Sequence, residues 1–393
     1  MSGNPYAVNV GRMQSLTEAR MQSLTDALKR MPEELHGKLL PSESALRLLQ
    51  TSNGMRRIVQ NAKLPTYAKA KNGVCFPDGP ALLEELEKLE RLTAGCNVTV
   101  LGLEHCQINY EGAEVMMEFL RRNTTLEKLN LLDNNIGTVG ARALAEALRI
   151  NTTLTSLGLA KNIIKDNGAR ALAEALPSNT TLTSLDLAEN LIGNDGVEAL
   201  AEALRSNTTL TSLGLAKNMI VSLGAKALAE ALPSNTTLTS LDLAGNMIVN
   251  RGVWSLAVGL VSNTTLTSLC LSNSWLEDDG AQAMADALDI NTTLRELKLS
   301  LNNIGDGGAR ALAAALCRNT TLRELELSSN KIGDGGAREL AAALCRNTTL
   351  RKLDLDGNQI GDDGRLALAQ AMRLNTTPRE LDIIGILPGP SLP

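Results

Sequence analysis

Aromatic side chains are nearly absent from this chain of 393 residues, in which two Phe, two Trp and three Tyr make up 2%. Hydrophobic residues still reach 44%, a share typical of folded proteins, so disorder along the whole length is excluded. The core must therefore be built from Leu, Ala, Ile and Val. Side chains of such similar size favour thin, uniform layers over one large central core.

Groups that carry catalysis or bind metals are also scarce. The chain has two histidines, His36 and His105, so a histidine proton relay or a site with several histidine ligands lacks the residues it needs. Its six cysteines form neither a CxxC pair nor a dense framework, which indicates free thiols in a reducing compartment. Cys75 and Cys106 lack the surroundings of a nucleophile. We predict a protein that is not an enzyme and that uses no metal or cofactor.

Long apolar segments are missing as well. No uninterrupted apolar run approaches the ~20 residues that span a bilayer. The opening MSGNPYAVNVGRMQSL has no apolar centre of the kind found in signal peptides. These absences predict a soluble protein that binds no membrane and is made without the general secretory pathway.

Charge is divided unevenly along the chain, whose net charge is −5. Residues 1–97 carry 13 Lys+Arg and 10 Asp+Glu, a net charge of +3. Residues 98–393 carry 25 Lys+Arg and 33 Asp+Glu, a net charge of −8. This difference predicts two modules of distinct character.

The triplet Asn-Thr-Thr recurs at a fixed step. It begins at residues 123, 151, 179, 207, 235, 263, 291, 319, 347 and 375, ten occurrences that lie 28 residues apart. Within each unit Leu recurs as LxxLxLxxN, as in Leu126, Leu129, Leu131 and Asn134. This spacing is typical of a leucine-rich repeat.

Each repeat predicts a strand followed by a helix. Leu129 and Leu131 alternate with other residues at the period of two that a strand requires. Downstream, apolar residues follow the i, i+3, i+4, i+7 spacing of one helical face: Ala141, Leu144, Ala145 and Leu148. One face of each element is then buried against neighbouring repeats.

Three polar positions of the repeat are expected to order its turns. Just before each helix stands a side chain that can accept from the first free helical N–H groups: Thr138, Asp166, Asn194, Ser222, Asn250, Asp278, Asp306, Asp334 and Asp362. Asn123 and its equivalents in the triplets predict left-handed helix ends. After each strand an asparagine predicts a buried hydrogen-bonded ladder: Asn134, Asn162, Asn190, Asn218, Asn246, Asn302, Asn330 and Asn358. The triplets also match the N-glycosylation sequon, but the turn explains all ten.

With its 28-residue period and GxxxLxxxL helix, the chain from residue 98 onward resembles the ribonuclease-inhibitor-like class of leucine-rich repeats. This resemblance implies an α/β fold, a curved solenoid of strand-helix repeats whose parallel strands line the concave face. We place the solenoid at residues 98–393, including a degenerate last repeat that forms a C-terminal cap.

The concave face is the predicted contact for an unidentified target protein. The column of side chains between the leucines faces it and is nearly featureless in the early repeats. Later repeats carry charge there, so we assign partner binding to Arg295, Lys298, Arg323, Glu326, Arg351, Asp354 and Asp382. The alternative is that these charges pair across neighbouring strands and keep the surface soluble.

The two tryptophans receive different interpretations. Trp254 occupies a position of the outer helical face that other repeats fill with polar residues, so it is added to the candidate partner-binding set. Trp275 follows Ser274, which replaces a ladder asparagine. We expect Trp275 to repack that disturbed turn.

Residues 1–97 divide into three segments. Residues 1–27 repeat RMQSLTEA as RMQSLTDA and are predicted to form a flexible leader, a candidate secretion signal. Residues 28–62 contain start and stop signals for three short helices, which predicts a small all-α module. Residues 63–97 are predicted to be a linker and a capping helix with apolar positions at 82, 83, 86 and 89.

The helical module at residues 28–62 resembles an F-box. Met31-Pro32 stands in place of the Leu-Pro opening, although the aromatic residue often found near the end is absent. The repeats carry GARALA at 140–145, 168–173 and 308–313, and the combination is similar to the GALA-type effectors of plant-pathogenic bacteria. That resemblance implies docking on the Skp-family adaptor of an SCF ubiquitin ligase through Met31, Pro32, Leu35, Leu39, Leu40, Leu46 and Leu49.

The resemblance also implies type III secretion into the cytoplasm or nucleus of a host cell, where the repeats select the protein to be ubiquitinated. The alternative is a cytoplasmic interaction scaffold with no ubiquitin-ligase link, in which the same leucines pack on the first repeat. Residues 44–77 hold six basic residues and no acidic one. Nucleic acid is disfavoured as a partner because few aromatics are interleaved and the rest of the chain is acidic.

Overall fold

The computed structural model describes residues 66–69, 82–84, 86, 98–375 and 381–385. The predicted leader, residues 1–27, and the F-box-like segment, residues 28–62, lie outside the described residues. The predicted adaptor-binding residues therefore stay predictions. They are Met31, Pro32 and five leucines of that segment.

Strands and helices alternate through the described part of the repeats. The strands are β1 (Thr66–Lys69), β2 (Val98–Gly102), β3 (Lys128–Asn130), β4 (Ser156–Gly158), β5 (Ser184–Asp186), β6 (Ser212–Gly214), β7 (Ser240–Asp242), β8 (Ser268–Cys270), β9 (Glu296–Lys298), β10 (Glu324–Glu326), β11 (Lys352–Asp354) and β12 (Asp382–Ile384). The helices are α1 (Tyr110–Arg122), α2 (Gly137–Leu148), α3 (Lys165–Ala175), α4 (Asn194–Ser206), α5 (Ser222–Ala231), α6 (Val249–Ser262), α7 (Asp278–Leu288), α8 (Asp306–Leu316), α9 (Asp334–Leu344) and α10 (Asp362–Leu374).

All twelve strands form one parallel sheet in chain order. Residues 28 apart are paired, so Leu157 of β4 lies between Leu129 of β3 and Leu185 of β5. Parallel strands lie about 4.8 Å apart and packed helices about 8–10 Å apart. Because each repeat contributes one strand and one helix, the helices fan out on the convex side and the sheet lines the concave side. The predicted α/β leucine-rich-repeat solenoid is confirmed.

The core is one continuous layer of small aliphatic side chains between the sheet and the helices. Leu157 and Leu159 point into it from the strand side, and Leu172 points into it from α3, all at most 1% exposed. Gly168 allows α3 to pack closely against α2, because a Cβ there would lie 3.0 Å from Cβ of Ala141. Uniform layers replace the aromatic core that the composition excludes.

The predicted asparagine ladder is confirmed. The side-chain amide of Asn162 donates to the carbonyls of Leu131 and Leu159, at 2.8 and 3.1 Å. The next rung, Asn190, accepts the backbone N–H of Asn162 at 2.9 Å through Oδ1. Each buried asparagine thus joins its own repeat to both neighbours and satisfies backbone groups that the bend would otherwise leave unpaired.

The prediction of left-handed helix ends at the triplets is wrong. Asn123 has φ −77° and ψ 129°, an extended conformation. Asn151 is 5% exposed, and its amide donates to the carbonyl of Leu120 in the preceding repeat at 2.8 Å. Its Oδ1 accepts the N–H of Leu154 at 2.7 Å, which closes the turn. The side-chain bonds order this turn, and the buried amide leaves no room for a glycan.

The helix-capping column acts on a different helix from the one predicted. Asp166 is the second residue of α3 and does not cap it. Its Oδ1 accepts the N–H groups of Gly193 and Gly196, at 2.6 and 3.0 Å, which belong to the start of α4. Asp334 does the same for α10. Asp278 and Asp306 likewise accept from the residue before the helix of the following repeat, because each of these carboxylates lies within reach of the start of that helix.

The last strand departs from the 28-residue register. Asp382 pairs with Lys352, and Ile384 takes the place opposite Asp354. The prediction that Asp382 continues the column of Asp354 is therefore wrong. The shift of two residues places Ile383 opposite Leu353, and Ile383 is 6% exposed.

Two features lie within the segment predicted as linker and capping helix. Strand β1 pairs in parallel with β2, and the sequence analysis did not predict this strand. Leu82 and Leu86 are helical and at most 3% exposed, and both belong to the continuous core. The sheet and the core thus begin before residue 98.

We predict that Asp334→Ala lowers the free energy of unfolding by about 1 kcal/mol, because it leaves the N–H groups of Gly361 and Gly364 without an acceptor. Urea unfolding followed by circular dichroism measures the loss. Asp362→Ala is the matched control, since Asp362 occupies the same position but accepts no hydrogen bond from any described residue. An equal loss in both variants would contradict capping across repeats.

Candidate functional site

One face of the sheet is not covered by the described helices. In each three-residue strand the central leucine points into the core, while the residues on either side of it are partly exposed, as in Ser156 and Gly158 around Leu157. This alternation places the predicted column of side chains on the concave face. The early and late repeats offer different chemistry there.

A cluster of three charges lies on the later strands. Glu326 on β10 accepts a hydrogen bond from Nζ of Lys352 at 2.8 Å and lies 3.7 Å from Nζ of Lys298. Burial raises the pKa of the Glu326 carboxyl, but the hydrogen bond and the two positive charges outweigh it, so that pKa lies below its usual range. The same hydrogen bond raises the pKa of Lys352. For Lys298 and Glu326 the alternative prediction, pairing across strands, is confirmed.

A groove lies at the edge where the chain enters the later strands. It encloses about 440 Å³. Its lining is threonine and arginine: Thr264, Thr265, Thr267, Thr292, Thr293, Arg295, Thr320, Thr321, Arg323, Thr348, Thr349 and Arg351. We call it the Thr-Arg groove. It brings together three residues of the predicted partner-binding set.

The three arginines of the groove are stacked on consecutive repeats. The N–H of Arg323 donates to the carbonyl of Arg295 at 2.8 Å, and the N–H of Arg351 donates to the carbonyl of Arg323 at 2.7 Å. Neither Arg295 nor Arg323 forms an ion pair with any described residue. Like charges at the spacing of adjacent strands repel one another, which favours an anionic ligand.

The other predicted contact residues lie apart from the groove. Asp354 uses its carboxylate to accept the N–H of Asp356 at 3.0 Å, which gives it a structural bond. Asp382 leaves the column, as described above. Trp254 lies on the convex side in α6 and is 63% exposed, as expected for the outer face. Trp275 is 62% exposed, so the expectation that it repacks the turn is wrong.

The early half of the concave face is acidic, where the sequence analysis expected almost no features. Asp186 and Asp242 flank Gly214, at which a Cβ would lie 2.8 Å from Oδ1 of Asp186. Burial and then the charge of Asp242 raise the pKa of the Asp186 carboxyl. Burial also raises the pKa of the Cys270 thiol on the next strand. The sequence analysis missed this acidic surface because it overlooked Gly214, whose lack of a side chain leaves room for the Asp186 carboxylate beside it.

The described residues hold neither a cluster of metal ligands nor a membrane-spanning helix. Among them, no group of three or more His, Cys, Asp or Glu side chains is placed to hold a metal ion. Cys106 is fully buried, and its thiol lies 3.3 Å from the carbonyl oxygen of Glu104. No helix in the described ranges has the length and apolar character to cross a membrane.

A comparison with known protein families identifies the same repeat that the sequence and the structure show. Ten stretches match the Leucine Rich repeat family: residues 96–117, 122–145, 151–173, 178–201, 206–229, 234–257, 262–285, 291–313, 318–341 and 346–369. They cover more than half of the chain. The chain is a leucine-rich repeat protein. Its repeats are of the ribonuclease-inhibitor-like class, and a leucine-rich repeat protein of this kind is a protein-interaction scaffold.

Two solved structures are similar to this leucine-rich repeat protein. An internalin (inlF) from Listeria monocytogenes is 18% identical, with a TM-score of 0.47 over 87% of this chain and 93% of that chain. The Leiomodin-1 Actin-Binding Site 2 is 26% identical, with a TM-score of 0.32 over 37% of this chain and 86% of that chain. No curated protein matches the chain.

We predict that Glu326→Gln lowers stability at neutral pH and that the difference from the wild type disappears in acid. The folded-state pKa of Glu326 lies below its unfolded value, so its ion pairs stabilise the fold at neutral pH and this contribution is lost as the pH falls through the folded-state pKa. Thermal unfolding between pH 7 and pH 3 measures the difference. Glu296→Gln, on the neighbouring strand and without an ion pair to described residues, should show no such trend.

Proposed function

We propose that this leucine-rich repeat scaffold binds a protein partner that presents acidic groups to the Thr-Arg groove. The observation that supports the proposal is the stack of Arg295, Arg323 and Arg351 at one edge of the sheet. Guanidinium groups recognise carboxylates through two parallel hydrogen bonds, and arginine is enriched where proteins meet.

Sequence differences among the repeats support a functional interpretation of the arginines. The position of Arg295 holds Thr155, Thr183, Thr211, Thr239 and Thr267 in five earlier repeats. Thr267 donates its hydroxyl to the carbonyl of Thr239 at 3.0 Å, which links neighbouring repeats. Threonine therefore suits the fold at this position, and neither Arg295 nor Arg323 gains an ion pair with a described residue by replacing it.

The remaining groups of the groove suit a polar contact. The first threonine of each triplet, as in Thr292, Thr320 and Thr348, is exposed beside the arginines. Hydroxyl groups both donate and accept, so they can bind the amide and carboxylate groups of a peptide. The early concave face, with Asp186 and Asp242, would repel the same acidic partner, which limits the contact to the later repeats.

We predict that Arg295→Thr with Arg323→Thr abolishes capture of the partner from the protein's native cell extract, because it removes two of the three stacked charges. Both changes restore the residue of the earlier repeats, so the fold should be unaffected. Quantitative mass spectrometry of proteins retained by wild type and variant measures the loss. The control, Arg142→Thr with Arg170→Thr on the outer faces of α2 and α3, removes equal charge and should retain the partner. Equal retention by both variants would refute the proposal.

We also propose, from sequence resemblance alone, that residues 28–62 dock this scaffold on the Skp-family adaptor of an SCF ubiquitin ligase. The resemblance to GALA-type effectors supports this proposal, and the family match that begins at residue 96 does not extend to it. In this mechanism the repeats hold the target near the ligase, and the chemistry belongs to other subunits. The protein itself needs no catalytic group.

We predict that the full chain binds a plant Skp-family adaptor with micromolar affinity or tighter in a calorimetric titration. Pro32→Ala with Leu35→Ala should abolish the signal, since both residues belong to the apolar segment that meets the adaptor in the F-box interpretation. Arg295→Thr with Arg323→Thr should bind the adaptor normally, which separates this contact from the groove. Absence of binding by folded wild-type protein would leave the scaffold without a ubiquitin-ligase link.

A further inference from the structure

An exposed apolar side chain recurs on five successive repeats at the edge where the chain leaves the strands. The residues are Ile163, Leu191, Met219, Met247 and Trp275, with exposed fractions of 44, 49, 54, 53 and 62%. We call this column the apolar ridge. It lies on the opposite edge of the sheet from the Thr-Arg groove, which precedes the strands.

The fold does not require apolar residues at these positions. The equivalent residues in other repeats are Gln107, Asn135, Asn303, Lys331 and Gln359. The backbone N–H of Met219 donates to Ile192, as that of Asn303 donates to Leu276, at 2.8 and 2.7 Å. Met219 and Met247 thus make the same structural bond as the polar residues of other repeats. The apolar side chains must be explained by something outside the repeat.

Three members of the ridge also lie in an unfavourable backbone conformation. Ile163, Leu191 and Trp275 have φ values of 57°, 59° and 62°, in the left-handed region. A branched or bulky side chain is disfavoured there. The polar equivalent Gln107 has φ 56° as well, whereas Asn303 and Lys331 do not have positive φ. Exposure of an apolar side chain to water and a left-handed backbone are both unfavourable in free energy at these three positions. This combination indicates a site of interaction.

The spacing of the ridge fits an α-helix. The N–H of Lys161 donates to Ala188 and that of Lys165 donates to Asn190, each at 2.9 Å, so the repeats keep the spacing of the sheet through this edge. Five side chains about 4.8 Å apart span about 19 Å. A helix rises 5.4 Å per turn, so five side chains at one per turn span about 22 Å and about 15 residues, close to the span of the ridge. An extended strand, with residues on one face about 6.7 Å apart, would fall out of register.

Charge differs between the two ends of the ridge. Lys161 and Lys165 are exposed beside Ile163, at the early end, and Lys161 also lies 3.7 Å from the carboxylate of Glu189. Glu277 and Asp279 are exposed beside Trp275, at the late end. This polarity complements a helix that is acidic in its first turn and basic in its last, which is the arrangement that the helix dipole itself favours.

We propose that the apolar ridge binds an amphipathic α-helix of a partner protein, with the acidic first turn of that helix at Lys161 and Lys165 and its basic last turn at Glu277 and Asp279. This surface is distinct from the Thr-Arg groove. The scaffold can therefore hold two partners, one at each edge of its sheet. Binding by a helix in an apolar groove or on an apolar strip is anchored by residues that recur at each turn.

The test uses the intrinsic fluorescence of Trp275 in a Trp254→Phe background, in which it is the only tryptophan. The probe is a synthetic helical peptide with one leucine per turn on one face, glutamates in the first turn and lysines in the last. Binding should shift the emission of Trp275 to shorter wavelength, because the indole leaves water. A peptide of the same composition with leucines distributed around the helix should cause no shift.

Variants decide whether the ridge carries this binding. Leu191→Asn with Met219→Asn introduces the residue that Asn135 and Asn303 show at the same position, and it should weaken peptide binding at least ~tenfold. Val258→Asn, which removes an exposed apolar side chain from α6, should bind as the background does. Equal binding of both peptides, or no effect of the ridge variant, would overturn the proposal. Sedimentation of the free protein as a dimer that the ridge variant dissociates would assign the ridge to a second copy and would also overturn it.

Discussion

The fixed step of 28 residues is the constraint on which the structure depends. A three-residue strand pairs only with the strands of neighbouring repeats. The strand of each repeat must therefore lie in register with the strand of the repeat before it. Asn162 and Asn190 extend that requirement beyond the strands, because each bonds to backbone groups of adjacent repeats. One inserted residue would break the ladder and the core together. The final strand shows what happens when the pattern decays, since Asp382 slips by two residues.

The bonds between repeats run in both directions. Asp166 caps the helix of the following repeat, whereas Asn151 donates to the end of the helix in the preceding one. Helix α4, for example, has its first turn closed by Asp166 of the preceding repeat and its last turn closed by Asn235 of the following repeat. No repeat is complete alone, and stability is expected to be a sum over interfaces between nearest neighbours. The scarcity of aromatic residues fits this design, since the layers are stabilised by repetition.

The fold could be predicted from the period, the leucine spacing and the ladder asparagines, because these signals are local and recur in nearly every repeat. The acceptor role of Asp166 towards the next helix could not, because capping rules describe residues within one turn of each other, whereas Gly193 lies 27 residues away. The site was partly predictable. Residues of the Thr-Arg groove were found as a column of charge, but the ion pairs of Glu326 depend on side-chain conformations that spacing does not determine.

Departures from the repeat carry the functional information in such a protein. A position that every repeat fills alike, such as the ladder asparagine, is explained by the fold. A position that changes while its backbone bonds stay the same is not. Arg295 replaces a threonine and Met219 stands where Asn303 also fits, and each replacement adds an unfavourable interaction, either like charges in a stack or an apolar side chain in water. Because such substitutions cost stability, the two edges of the sheet, and not its regular centre, are where partners are expected to bind.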